Sequence, residues 1–205
     1  MKEIVRNIAL FVSFCLVFSM LTSCTGTGAN VTNTNTGKPA PNAGTKESKS
    51  GEYPPLASGL AEADFELLDG SKFKISEKKG KVLLLNIWGT WCGPCREEMP
   101  HLVEMQNKYA AQGLEVIGLN IGDGSGTPES VEQIKAFVEK MKLNYTIARS
   151  PNSSTIQFYQ ISKQQVVPQT LLVDREGHLR GVFVGGGQRV VDSMKNTLDK
   201  TMAES

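Results

Sequence analysis

The sequence is short of the residues that usually announce a function. It has two histidines and four cysteines. Its charge is balanced, with 22 Lys and Arg against 21 Asp and Glu and a formal net charge of +1. That balance excludes the electrostatic footprint of a nucleic-acid-binding protein, so no nucleic-acid partner is expected. His101 and His178 leave little material for a metal centre. No metal and no cofactor is expected. Nor does any apolar run reach the ~20 residues that a membrane-spanning helix needs.

The most extended apolar stretch is Ile8 to Leu21, preceded by Lys2 and Arg6. A short basic start followed by such a run reads as an export signal. It closes in Leu21-Thr22-Ser23-Cys24, which resembles the cleavage motif of bacterial lipoproteins. That resemblance implies a signal over residues 1–23 and a lipid on Cys24 as the new N-terminus. The domain would then be anchored to a membrane, in the cell envelope outside the cytoplasm. An ordinary secretory signal and an uncleaved anchor are the alternatives. A single acyl chain holds a protein only marginally, so stable anchoring needs further chains, which lipoproteins carry by resemblance.

From Thr25 to about Ser58 hardly any side chain is apolar. Such a segment cannot bury enough surface to offset its ordering entropy, and residues 24–59 are expected to form a disordered linker. As a coil it has an end-to-end distance of roughly 30 Å. Residues 60–205 are then long enough for one sizeable core.

Within that domain the pattern predicts a β-hairpin first, Asp64 to Leu68 and Lys72 to Ile75 around the turn Asp69-Gly70. Val82 to Trp88 is an unbroken apolar run of strand length, the mark of a strand buried on both faces. A helix follows from about Cys95 to Ala111, kinked at Pro100 and ended by Gly113. Leu114 to Ile121 is the next strand. After the Gly-rich loop 122–127, a helix is expected to start at Pro128, with Val131, Ile134, Phe137, Val138 and Met141 at helical spacing. Strands at Tyr145 to Ala148, Thr170 to Asp174 and His178 to Val184, a short helix near Ser154 to Tyr159, and a last helix through Val190, Met194, Leu198 and Met202 complete the order. This is an α/β domain: a mixed central sheet flanked by helices.

The cysteines can be accounted for one by one. Cys15 lies in the export signal and Cys24 closes it, so the domain keeps only Cys92 and Cys95. In an oxidising compartment two cysteines spaced C-x-x-C pair with each other or with a substrate. They fall where a buried strand meets a helix N-terminus, whose dipole and unpaired N–H groups stabilise a thiolate. Cys92 is expected to be the exposed attacking thiolate and Cys95 the resolving thiol. The competing reading is a metal site. Zinc would need both His101 and His178 beside the pair, and a copper carrier is a second possibility.

Trp91-Cys92-Gly93-Pro94-Cys95, preceded by Asn86-Ile87-Trp88-Gly89-Thr90 and followed by Arg96-Glu97-Glu98-Met99-Pro100, resembles the thioredoxin superfamily. Within it the chain resembles the TlpA/ResA-like branch of membrane-tethered bacterial proteins, over the region from about Ala61 to the C-terminus. The resemblance implies a thioredoxin fold with an N-terminal β-hairpin and an inserted helix after Ile121. It implies that Pro168 is a cis-proline packed on the disulfide and that the Val167 backbone pairs with a substrate chain. Trp91, Gly93 and Pro94 become the substrate-facing neighbours of the cysteines. A trans proline opening a strand is the alternative for Pro168.

Glu98 matches an acidic residue of that branch and, if partly buried, is a candidate to move protons to and from the cysteines. A solvated helix-surface Glu is the alternative. There is one departure. Thioredoxins proper place a buried Asp where this chain has Asn86, and Asn cannot accept a proton. The implied activity is reduction of disulfides in exported proteins, such as apocytochrome c during cytochrome c maturation, with electrons from a membrane-embedded thiol donor. The protein is expected to act as a monomer. A peroxiredoxin-like thiol peroxidase and a copper metallochaperone are the other functions this fold could serve.

Overall fold

The computed structural model describes residues 53–204. The expected export signal, the lipidation site Cys24 and most of the linker lie outside the described residues. Among those described, no helix is long and apolar enough to cross a membrane.

The polypeptide runs α1 (Ser58–Ala61), β1 (Phe65–Leu67), β2 (Lys72–Phe73), β3 (Val82–Trp88), α2 (Gly93–Tyr109), β4 (Leu114–Asn120) and α3 (Val131–Met141). It continues through β5 (Thr146–Arg149), α4 (Asn152–Ser162), β6 (Gln169–Val173), β7 (Leu179–Val184) and α5 (Gln188–Glu204). The strands form one sheet in the order β2-β1-β5-β4-β3-β6-β7. β3, β4 and β5 are parallel, and β6, β7, β1 and β2 pair antiparallel around them. The sheet is therefore mixed, with the apolar run 82–88 in its interior, between β4 and β6.

Strand alternation explains the two-sided core. Side chains on a strand point to opposite faces in turn, and every residue of β3 is buried. Val82, Leu84 and Trp88 join a cluster with Met99, Leu102 and Met105 of α2, Ile134 of α3 and Met194 and Leu198 of α5. Leu83, Leu85 and Ile87 face the other way, into a cluster with Leu60 of α1 and Phe158 of α4. Asn86 falls on the α2 side of this alternation, the one polar side chain in the strand. It is 2% exposed.

Several boundaries differ from the sequence-based expectation. The second strand stops at Phe73, because Ile75–Lys78 turns into a 3-10 helix closed by Glu77, whose carboxylate accepts the Lys74 N–H at 3.0 Å. The helix expected from Pro128 starts at Val131 instead. Ser130 supplies the N-cap there, its Oγ accepting the Gln133 N–H at 3.2 Å, while Gln133 reaches back to the Ser130 N–H in a capping box. α4 extends beyond the expected Ser154–Tyr159 at both ends, over Asn152–Ser162, and starts behind Pro151.

The largest difference is at the domain's N-terminal edge, where the linker was expected to extend to residue 59. Pro54 O accepts the Leu179 N–H at 2.8 Å and Gly177 O accepts the Leu56 N–H at 2.9 Å. Pro55 bridges His178 antiparallel. Leu56 and Leu60 are buried, under α4 and the sheet. Too few apolar residues mark this segment in sequence. Its order comes from backbone pairing with β7 and from those two leucines.

Candidate active site

The chain leaves β3 at Trp88 and enters α2 at Gly93, and the site is built in that connection. Cys92 is the N-cap of α2, and its Sγ accepts the Cys95 N–H at 3.2 Å. Gly93 and Pro94 are the first two helical residues, where proline's missing N–H would have no partner anyway. Cys92 and Cys95 are joined in a disulfide with their Cα atoms 5.3 Å apart. The helix N-terminus thus meets the sulfur that would carry negative charge after reduction.

One expectation is corrected here. Cys92 is not exposed in this oxidised state: it is 3% exposed, and Cys95 2%. The bonded sulfurs lie over the first turn of the helix and join the core cluster that includes Met99 and, at its margin, Val167. Trp91 presents the exposed surface instead, at 46%.

The Val167–Pro168 peptide bond is cis, and Pro168 O accepts the Gly185 N–H at 2.9 Å. The next residues belong to the same corner. A Cβ on Gly186 would lie 2.9 Å from Pro94 Cβ, so the β7–α5 turn packs directly against the Gly-Pro of the motif. Beside it an open groove is lined by Trp91, Ile121, Ile156, Tyr159, Val166 and Val167. Trp91, Ile156 and Val166 are three of the four large apolar side chains that the described residues leave exposed. Exposed apolar surface gathered in one place marks an interaction site.

Behind the disulfide lies a polar group enclosed by the core. Glu98 is 3% exposed. Its Oε1 accepts the Asn86 Nδ2–H at 3.0 Å and the Thr170 hydroxyl at 3.0 Å, and Thr170 Oγ1 in turn accepts from Asn86 Nδ2 at 2.9 Å. Burial pushes the Glu98 carboxyl up to about 7, the hydrogen bond from Thr170 offsetting only part of the shift. Tyr145 packs in the same cluster, and its hydroxyl is also pushed up by burial and by the nearby Glu98 charge. The carboxyl thus titrates toward neutral pH, on the same helix as Cys95 and three residues along from it.

Thr170, the partner in this triangle, was not singled out in the sequence. It lies two residues past the cis-proline, and only the β3–β6 register, which sets Asn86 opposite Thr170, brings it to Glu98. The two histidines sit elsewhere in the domain. His101 pairs with Glu104 at 3.8 Å and His178 with Asp174 at 3.4 Å. Among the described residues the one grouping of possible metal ligands is Asp174, Glu176 and His178, which takes in His178 but neither His101 nor a cysteine.

Comparison with known proteins agrees with this geometry. The AhpC/TSA family profile matches residues 59–182. The thiol-disulfide oxidoreductase ResA of Geobacillus kaustophilus is 31% identical over 132 residues, covering 63% of this chain and 71% of that protein. The ResA of Bacillus subtilis is 29% identical over 132 residues, covering 63% and 69%. Among solved structures, a thioredoxin-family thiol:disulfide interchange protein of Chlorobium tepidum superposes with a TM-score of 0.60 at 22% identity. It covers 74% of this chain and 97% of its own, a likeness of fold. With a disulfide at a helix N-cap, a cis-proline beside it and a match over more than half its length, the chain belongs to the AhpC/TSA family, as a ResA-like thiol–disulfide oxidoreductase of thioredoxin fold.

Proposed function

We propose that the protein works outside the cytoplasm, lipid-anchored through Cys24, and reduces disulfides in exported proteins. Apocytochrome c, in cytochrome c maturation, is the substrate that the family points to. Cys92 attacks one substrate sulfur as a thiolate and forms a mixed disulfide. Cys95 then attacks Cys92, which releases the substrate thiol and leaves the Cys92–Cys95 disulfide. A membrane-embedded thiol donor returns two electrons to the pair. The observation that carries this reading is the buried Glu98 behind the disulfide, with its carboxyl pushed up to about 7. It can give a proton to the departing thiolate and take one from Cys95, a residue only 2% exposed.

The groove at Trp91 supports a protein substrate rather than a small one. Its exposed apolar wall adjoins the Val167 backbone, where an extended chain would pair across Cys92. The deciding measurement is the reduction potential of the Cys92–Cys95 couple by equilibration with a thiol buffer. A value toward the roughly −270 mV of reducing thioredoxins is expected, and one near the roughly −120 mV of a strong oxidant would reverse the direction of electron flow. Turnover of hydrogen peroxide in place of insulin disulfides would assign a peroxidase.

A further inference from the structure

The Gly89–Cys92 turn that presents the reactive residues is held from outside by a second buried carboxylate. Glu129 lies in the connection between β4 and α3 and is 7% exposed. Among the described residues it makes no ion pair. Both of its oxygens are spent on holding other segments in place. Oε1 accepts the Thr90 backbone N–H at 3.3 Å and the Thr90 hydroxyl, and Oε2 accepts the Asn120 Nδ2–H at 2.7 Å.

From Asn120 the chain of contacts returns to the site. Asn120 Oδ1 accepts the Gly122 N–H at 3.0 Å, and Gly122 O accepts the Trp91 indole N–H at 2.9 Å. The opposite side of Thr90 is also held, since its carbonyl accepts from Arg96 Nη1 at 2.9 Å. Thr90 thus has its N–H, hydroxyl and carbonyl all engaged. The fit is close: a Cβ on Gly89 would lie 2.5 Å from the Trp91 indole nitrogen, and one on Gly122 would lie 2.3 Å from Thr127 O. Hydrogen bonds to a buried carboxylate are about twice as strong as neutral ones, and losing the acceptor strands the donors.

We infer that Glu129 is a positioning residue for substrate engagement: it fixes the Thr90–Trp91 turn against the β4–α3 connection, so that the Trp91 indole stands beside Cys92 as one wall of the substrate groove. Its hydrogen bonds go to Thr90 and Asn120 and to none of Cys92, Cys95 and Glu98. Its effect therefore falls on docking of a polypeptide through Trp91 and not on proton transfer at Cys95. The inference rests on the protein-disulfide reading above for its kinetic consequence, and on geometry alone for the placement of Trp91.

The test uses Glu129→Ala and Glu129→Gln, with Thr90→Val as a milder variant that keeps the backbone N–H. Hydrogen exchange of the Trp91 indole proton, followed by NMR in the oxidised protein, reads the placement without any substrate. Glu129→Ala is expected to accelerate that exchange at least about tenfold, and Glu129→Gln less, because the amide oxygen can still accept from Thr90. With insulin as the protein disulfide, Glu129→Ala is expected to raise KM about tenfold with a smaller change in kcat. With a small aromatic disulfide that cannot span the groove, the rate constant should change far less.

Unchanged indole exchange in Glu129→Ala and Thr90→Val overturns the inference outright. Faster exchange with equal losses on both disulfides, and a matching fall in Tm, also overturns it and makes Glu129 merely structural. If the wild-type protein does not reduce insulin, the proposed function fails. The indole measurement still decides whether Glu129 places Trp91.

Discussion

Asn86 Nδ2 donates a hydrogen bond to Glu98 Oε1 across 3.0 Å, inside the core and behind the disulfide. Asn86 stands where thioredoxins proper carry their buried Asp, so in this chain that position no longer holds an ionisable group. It holds a donor aimed at one. The ionisable group comes from α2 instead, and the pair keeps one carboxyl in the site. Thr170 completes the set as both acceptor and donor, so the amide and the hydroxyl each find partners without water.

The pH dependence of stability follows from that enclosure. The Glu98 carboxyl is raised by burial from 4.5 to about 7 in the folded protein. Below pH 4.5 it is protonated in both states and costs nothing. As pH rises toward 7 the unfolded chain releases the proton first, and stability is lost over that window. Relative to Glu98→Gln, the wild type is expected to lose on the order of 3 kcal/mol between about pH 4.5 and pH 7, with no further divergence above it. Urea unfolding of both proteins at pH 4.5, 6 and 8 measures this. A constant difference across the three would show that Glu98 does not titrate abnormally.

Restoring an acid at the thioredoxin position should be harmful here. In Asn86→Asp two carboxyls would share a site where a donor and an acceptor now meet, and both cannot ionise in so dry a place. The variant is expected to be close to wild type at pH 5 and less stable by about 2 kcal/mol at pH 8. Its pH–rate profile for disulfide reduction should move to higher pH. Stability above that of the wild type at pH 8 would sink this account of the triangle.

The two cysteines should separate cleanly in trapping experiments. Cys92 caps α2 and Cys95 lies inside its first turn, and in the proposed mechanism a substrate reaching over Trp91 and Val167 is attacked by Cys92. Cys95→Ser is expected to accumulate mixed disulfides with protein substrates, visible as reducible high-mass bands, and Cys92→Ser to accumulate hardly any. The reverse pattern would exchange the two roles.

The segment ahead of β1 belongs to the fold. Leu60 is fully buried against the lower cluster with Phe65 and Phe158. Leu60→Ala is expected to cost about 3 kcal/mol of unfolding free energy in the oxidised protein. A change within about 0.5 kcal/mol, the usual range for a surface substitution, would mean that residues 53–61 contribute nothing to the core.

Much of this was legible from residue order because the signals were local. The run Val82–Trp88 had to be a strand buried on both sides, and it lies inside the sheet between β4 and β6. A C-x-x-C at the junction of that strand and an amphipathic helix had to lie at a helix N-terminus, and Cys92 is the cap. Glycine at the hairpin tip, at Gly70, has the positive φ of 87° that a side chain would resist.

What only the tertiary structure decided depends on residues far apart in the chain. The burial of Glu98, as against a solvated place on the helix surface, is set by α2 packing on β3 and by the β3–β6 register that delivers Thr170 from 72 residues away. Glu129 carried no signal in the sequence, since a glutamate in the first turn of the helix expected from Pro128 reads as solvated. It becomes a clamp only because β4 runs parallel beside β3 and brings Asn120 level with Trp88. Residue order was therefore enough for the redox pair, because a C-x-x-C needs only one turn of helix to form. The surroundings that give the pair its proton source and its docking wall were not readable there. Their energies come from burial and from hydrogen bonds between segments that meet only when the sheet is assembled.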